Sequence, residues 1–112
     1  MSFLTNLFNT KQDTLNAGFK RYLDITLDDE EKIKTEFQKA NPDISVETIK
    51  SYFDKYKDAY NYAEKCLADL LNRNDNTNYI KDTFFESVSN KFNWVDKSNL
   101  KKLYSTCSFY LK

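Results

Sequence analysis

The chain has 112 residues, of which 40% are hydrophobic and 30% charged, and its 17 basic residues balance its 17 acidic residues. This length predicts a single domain, residues 1–112, with a core that needs no disulfide or metal. Zero net charge argues against general nucleic-acid binding, because phosphate contacts require an excess of Lys and Arg. The content of 1 Gly and 1 Pro disfavours sheets, whose hairpin turns depend on residues such as Gly and Asn.

The N-terminal segment has the apolar periodicity of a helix, which we predict over about 3–23. Its apolar residues share one face: Leu4, Phe8, Leu15, Phe19 and Tyr22. The beginning of this face carries an N-terminal apolar cluster, defined as Phe3, Leu4, Leu7 and Phe8. This cluster has three possible roles: packing inside the protein, binding a partner, or touching a membrane surface. The last is disfavoured because few cations surround the cluster.

An acidic run, residues 28–31, precedes the next helical pattern. Neighbouring carboxylates can bind a cation, but Asp28 and Glu31 also have the spacing of a helix capping box, and acidic residues suit the positive end of a helix. We therefore interpret the run as the beginning of a helix with Ile33 and Phe37 on its apolar side. This helix should end before Pro42, because the residue before proline is disfavoured in helical geometry.

Two stretches share a pattern: ISVETIKSYF at 44–53 and VDKSNLKKLY at 95–104. Ser45 and Asp96 are the predicted N-caps of two helices. In each copy an apolar residue precedes the cap and another occupies the fourth helical position, the arrangement of a hydrophobic staple: Ile44 with Ile49, and Val95 with Leu100. We interpret the pattern as one way of beginning a helix, used twice. Duplication of a helix pair and convergence both remain open.

The longest periodic segment follows the first of these caps and predicts a helix over about 45–72, roughly 42 Å long at helical rise. Its heptad stripe consists of Ile49, Tyr52, Tyr56, Ala59, Ala63, Cys66 and Leu70. Aromatic residues at this spacing are typical of a core. Further helices are predicted at about 78–91 and after Asp96, the last with the apolar stripe Leu100, Leu103, Tyr104, Cys107, Tyr110 and Leu111. The fold class is therefore all-α, an irregular bundle of four or five helices around the long helix.

Several groups that enzymes commonly use are missing. The chain has no histidine, the commonest general base and transition-metal ligand. It also has no Gly-rich phosphate loop, calcium loop or zinc spacing. Cys66 and Cys107 are far apart in sequence and are expected to be reduced, although a disulfide between them remains open. We therefore expect a non-catalytic protein without cofactor or metal.

Two aromatic residues lie off the apolar stripes: Tyr62, on the far side of the long helix, and Phe109, opposite Leu100 on the last helix. Each must be exposed, covered by another segment, or used by a partner. Because Tyr and Phe are enriched in interface cores, the candidate partner-binding residues are Tyr62 and Phe109 together with the N-terminal apolar cluster.

These observations indicate a small protein whose activity is to bind another protein. Its general character, small and rich in Asn and Lys, suggests a bacterial or phage inhibitor of the immunity-protein or anti-defence type. The alternative is an oligomeric assembly or adaptor protein that uses the heptad stripe or the N-terminal apolar cluster. No stretch approaches the ~20 apolar residues of a membrane span, and no apolar run resembles a secretory signal. A cytoplasmic location is therefore expected.

Overall fold

The computed structural model describes residues 3–24, 30–73 and 76–111, and in the first of these ranges it describes side chains from Gln12 onward. Over these ranges the chain forms five helices and no strand: α1 Phe3–Asp24, α2 Glu30–Ala40, α3 Val46–Arg73, α4 Thr77–Lys91 and α5 Lys97–Tyr110. The predicted all-α bundle with one long helix is confirmed. Within the same ranges, no helix is both long and apolar enough to cross a membrane.

The chain divides into two compact units, unit 1 with residues 1–54 and unit 2 with residues 55–112. The boundary falls inside α3, which contributes its first part to unit 1 and the remainder to unit 2. Unit 1 also contains α1 and α2, whereas unit 2 also contains α4 and α5. Each unit therefore has three helical segments. The single domain expected from the length stays a prediction.

Aromatic side chains from all three helical segments form the centre of unit 1. The ring of Tyr22 in α1 lies edge-on to Phe53 in α3, with 6.0 Å between ring centroids, and Phe37 in α2 contacts Phe53 at 6.5 Å. Outside this core, the Arg21 guanidinium binds the Glu36 carboxylate at 3.0 Å. Because an exposed ion pair contributes less than about 1 kcal/mol, apolar packing holds this unit together.

Unit 2 has a core of its own. The ring of Tyr56 in α3 lies 6.0 Å from Trp94, in the turn between α4 and α5. Phe84 in α4 meets Tyr104 in α5 edge-on at 5.2 Å. The other buried side chains of this unit include Leu67, Ile80, Val88, Leu103 and Cys107.

Much of the heptad stripe is buried within the chain. Tyr56, Ala59 and Ala63 have no exposed surface, and Ile49 is also buried. The remaining members, Tyr52, Cys66 and Leu70, are half-buried. The buried positions of this stripe are therefore not available to a second copy of the chain.

Both predicted N-caps are present. The Ser45 hydroxyl accepts a hydrogen bond from the backbone N–H of Thr48 at 3.1 Å, and the Asp96 carboxylate accepts the corresponding bond from Asn99 at 2.8 Å. The likeness extends into the turn before each cap. The two turns are closed by matching backbone hydrogen bonds of 2.8–3.1 Å: Asn41 to Phe37, Ile44 to Asn41, Phe92 to Val88, and Val95 to Phe92. The repeated pattern is therefore a short turn that joins two helices and caps the second, and it serves folding.

Only the second half of the acidic run, Glu30 and Glu31, lies within the described residues. Asp28 lies outside the described residues, and so does the predicted capping box that it would form with Glu31. Glu30 and Glu31 occupy the first turn of α2, where both carboxylates lie near the Lys34 amine, at 3.7 Å and 3.6 Å. These two acidic side chains therefore stabilise the beginning of a helix.

Candidate protein-binding surface

Tyr62 is half-buried. Its ring lies 5.5 Å from the ring of Phe92, and the Lys91 amine lies 5.0 Å above it. Of the three alternatives expected for Tyr62 (exposed, covered or used by a partner), the structure shows the second, because the end of α4 covers its ring. Tyr62 is thus a packing residue of unit 2, and its use by a partner stays an untested prediction.

Phe109 is 73% exposed and lies edge-on to Tyr110, 5.3 Å away, which is itself 56% exposed. The position opposite Leu100 correctly predicted that Phe109 points away from the core. Tyr110 is different, because the sequence pattern assigned it to the buried stripe of α5. That assignment is wrong, since Cys107 is the last buried residue of the helix.

The N-terminal apolar cluster cannot be placed in the same way. Phe3, Leu4, Leu7 and Phe8 belong to α1 by their backbone, but their side chains lie outside the described part of the chain. Their role in binding stays a prediction.

The helices of unit 2 alternate in direction. Tyr62 packs on Phe92, and Cys66 and Ser87 line the same pocket, so α4 runs antiparallel to α3. The Lys81 amine lies 6.0 Å from the Tyr104 ring, and Lys97 lines the same groove as Ser89, so α5 runs antiparallel to α4. The end of α3, the beginning of α4 and the end of α5 therefore lie at the same end of unit 2.

Most of the exposed large hydrophobic side chains lie at these helix ends. Of the five exposed large hydrophobic side chains in the described ranges, four belong to the three helix ends just named: Leu71 at 44%, Tyr79 at 52%, Phe109 at 73% and Tyr110 at 56% exposure. We call these four residues the aromatic end. The fifth, Val46, belongs to unit 1 and is 65% exposed. Within this set Phe109 and Tyr110 are in direct contact, and adjoining exposed apolar side chains are a better mark of an interaction site than single ones.

A groove of about 390 Å³ runs between α4 and α5. We call it the α4–α5 groove, and its lining consists of Phe85, Glu86, Ser89, Lys97, Leu100 and Lys101. Lys81 stands beside it, with its amine 5.9 Å from the Phe85 ring centroid. The groove thus combines apolar side chains from both helices with lysines at its edge.

The two cysteines carry free thiols. Burial raises the pKa of the Cys66 thiol, and it raises the pKa of the fully buried Cys107 thiol to about 12. Because the thiolate is the nucleophilic form, neither cysteine is activated at neutral pH. Within the described ranges, no three His, Cys, Asp or Glu side chains are grouped so as to hold a metal ion.

No family model, curated protein or solved structure matches this chain. The aromatic end and the α4–α5 groove must therefore be interpreted from their own geometry.

Sequence reasoning missed three of the four residues of the aromatic end. Tyr79 carried a usable signal, because it directly precedes Ile80 and so lies off the stripe that Ile80, Phe84 and Val88 form on α4. Leu71 and Tyr110 carried no clear signal, since both continue the apolar pattern of their helices. Their exposure depends on where the neighbouring helices end.

Proposed function

We propose that this protein acts by binding another protein, without catalysis, and that its aromatic end contacts the partner. The observation that carries the proposal is that Leu71, Tyr79, Phe109 and Tyr110, which belong to three helix ends of unit 2, each have at least 44% of their surface exposed, with Phe109 and Tyr110 in direct contact. Full burial of a large apolar side chain is worth about 1.5–3 kcal/mol. A partner that covered this end would gain that stabilisation without any rearrangement of the core.

The chemistry of the chain also supports binding over catalysis. There is no histidine, and both thiols have a raised pKa because they are buried. Tyr and Phe are the residue types that interface cores favour. Within this proposal we place an inhibitor of the immunity-protein or anti-defence type, cytoplasmic and of bacterial or phage origin, which blocks a larger protein by covering its surface.

The test is capture of the partner by tagged protein in extract of the native host. The wild type is compared with the double variant Tyr79→Ala/Phe109→Ala and with the control Val46→Ala, which removes an equally exposed apolar side chain from unit 1. We expect one dominant foreign protein with the wild type and the control, and its loss with the double variant. Equal recovery with all three proteins would show that the aromatic end is not the contact surface.

The alternative function, an oligomeric assembly protein, depended on two surfaces. The heptad stripe is largely buried, so the N-terminal apolar cluster is the surface left to this alternative. Sedimentation velocity of the purified chain separates the two: a monomer supports the binding protein, and a concentration-dependent oligomer supports self-assembly.

A further inference from the structure

The α4–α5 groove has two walls of different charge. Helix α5, from Lys97 to Tyr110, contains Lys97, Lys101 and Lys102 and no acidic residue. Helix α4 is balanced, with Lys81 and Lys91 against Asp82 and Glu86. At the groove itself, Lys97 and Lys101 of the lining and the neighbouring Lys81 stand against one carboxylate, Glu86, so this surface is locally basic.

The lysines at the groove are available to a ligand. Lys97 and Lys101 are exposed, and neither forms an ion pair with any described residue. They are four positions apart on α5 and so lie on one face of that helix. Lys81 reaches the same groove from α4, where its amine lies within 6.0 Å of the Phe85 and Tyr104 ring centroids.

The lining between these cations is apolar. Phe85 is half-buried, so part of its ring faces the groove, and Leu100, which also lines the groove, is buried. An apolar strip with charged edges complements an amphipathic segment, whose apolar side lies in the groove while its charged side meets the edges. The positive sign of the edges selects acidic residues in that segment.

We infer that the α4–α5 groove binds an acidic amphipathic segment of the partner protein. The apolar residues of that segment pack on Phe85 and Leu100, and its carboxylates pair with Lys81, Lys97 and Lys101. This inference rests on the proposed protein-binding function and deepens it, because it names the chemistry of the partner and a second contact surface beside the aromatic end.

A nucleic acid is the less suitable ligand for this groove. The groove lining contains no arginine, the side chain suited to bidentate phosphate contacts, and it places the Glu86 carboxylate among the lysines. Its apolar lining would meet a hydrated phosphate backbone. A peptide with alternating apolar and acidic faces satisfies both parts of the groove.

The experiment is selection of 16-residue peptides from a displayed random library on the immobilised full chain. We expect the enriched peptides to carry net negative charge, with apolar residues at the three- and four-residue spacing of a helix. The affinity of these peptides, measured by fluorescence anisotropy, should be lower by at least about tenfold for the variant Lys97→Glu/Lys101→Glu. The acidic peptide then meets negative charges where the wild type has positive ones. The control Lys50→Glu/Lys55→Glu reverses two exposed lysines elsewhere on the chain and should leave affinity unchanged.

The inference fails if no peptides are enriched, if the enriched peptides are neutral or basic, or if acidic peptides bind Lys97→Glu/Lys101→Glu as tightly as the wild type. A fluorescein-labelled 20-base-pair DNA duplex is measured alongside, and tighter binding of this duplex than of the peptides would equally overturn it. Circular dichroism melting confirms that each variant is folded. Failure of the peptide test with intact partner capture rejects the groove alone, whereas failure of partner capture rejects the proposed function.

Discussion

The Asp96 carboxylate accepts a hydrogen bond from the backbone N–H of Asn99 at 2.8 Å, and so satisfies one of the free donors at the beginning of α5. The first turn of α5 contains no acidic residue, so Asp96 also supplies the negative charge nearest to the positive end of that helix. Ser45 makes the corresponding bond at the beginning of α3, where Glu47 adds a negative charge in the first turn.

Replacement of either cap should therefore reduce stability. We expect Ser45→Ala and Asp96→Ala each to lower the free energy of unfolding by about 1 kcal/mol, with the larger effect for Asp96 because a charge is lost with the bond. Urea denaturation measures both. Asp96→Asn is the matched control, since it keeps the hydrogen-bond acceptor and should lie between the wild type and Asp96→Ala. If a cap variant abolished partner binding with an unchanged urea midpoint, the folding role assigned to the repeated motif would be wrong.

Tyr56 is the largest side chain of α3 with no exposed surface, and it packs against Trp94. Tyr56→Ala leaves a cavity in the core, for which we expect a loss of about 3–5 kcal/mol, enough to unfold a marginally stable chain. Tyr79→Ala, which shortens a 52% exposed tyrosine on α4, should change stability by less than about 0.5 kcal/mol. Thermal melting followed by circular dichroism compares the two. A folded, monomeric Tyr56→Ala variant of an oligomeric wild type would instead show an intermolecular role for the heptad stripe.

The contact of Tyr62 with Phe92 implies that Tyr62→Ala lowers stability. An exposed tyrosine could be replaced by alanine without loss of stability, but the Tyr62 ring lies edge-on to Phe92 and below the Lys91 amine. We expect the pair to be coupled by about 0.5–1.5 kcal/mol in a double-mutant cycle of Tyr62→Ala and Phe92→Ala, measured by urea denaturation. Additive effects of the two substitutions would show that the rings do not support each other in solution.

Helix positions and caps could be predicted because their causes are local. The N-cap bond of Ser45 spans a few residues, and the burial of Tyr56 follows from apolar spacing along one helix. The cover over Tyr62 could not be predicted, because it depends on the turn after α4 folding back onto α3. The exposure of Tyr110 was missed because the apolar spacing of α5 continues past Cys107, the last buried residue of the helix. Of the candidate site, sequence periodicity therefore identified Phe109, while the rest depends on how helix ends meet in space.

Alkaline pH should destabilise unit 1 through Tyr22. Burial, with the Glu30 carboxylate nearby, raises the pKa of Tyr22 from 10.0 to about 12. The phenol therefore ionises more readily in the unfolded chain than in the folded protein, so its contribution to stability is complete below pH 10 and declines as the pH rises from 10 to 12. Urea midpoints at pH 8, 10 and 11 should decrease in that order, and Tyr22→Phe should make the decrease shallower. A residual decrease is expected in this variant, because burial also raises the pKa of Tyr60, Cys66 and Cys107. The same slope in wild type and Tyr22→Phe would show that Tyr22 is not protected from ionisation.

Substitution of Phe109 should weaken partner binding while leaving stability nearly unchanged. Its ring is 73% exposed, and its edge-on neighbour Tyr110 is itself mostly exposed. Loss of the ring in Phe109→Ala therefore removes little buried surface, and we expect the free energy of unfolding, measured by urea denaturation, to stay within about 0.5 kcal/mol of the wild type. The binding free energy of the captured partner, measured by titration calorimetry, should weaken by roughly 1 kcal/mol or more, as for an aromatic side chain in an interface core. Phe109→Leu keeps part of the apolar surface and should fall between the two. If Phe109→Ala instead lowered stability by more than about 1 kcal/mol with binding unchanged, the ring would be buried in solution, and the aromatic end would lose its most exposed member.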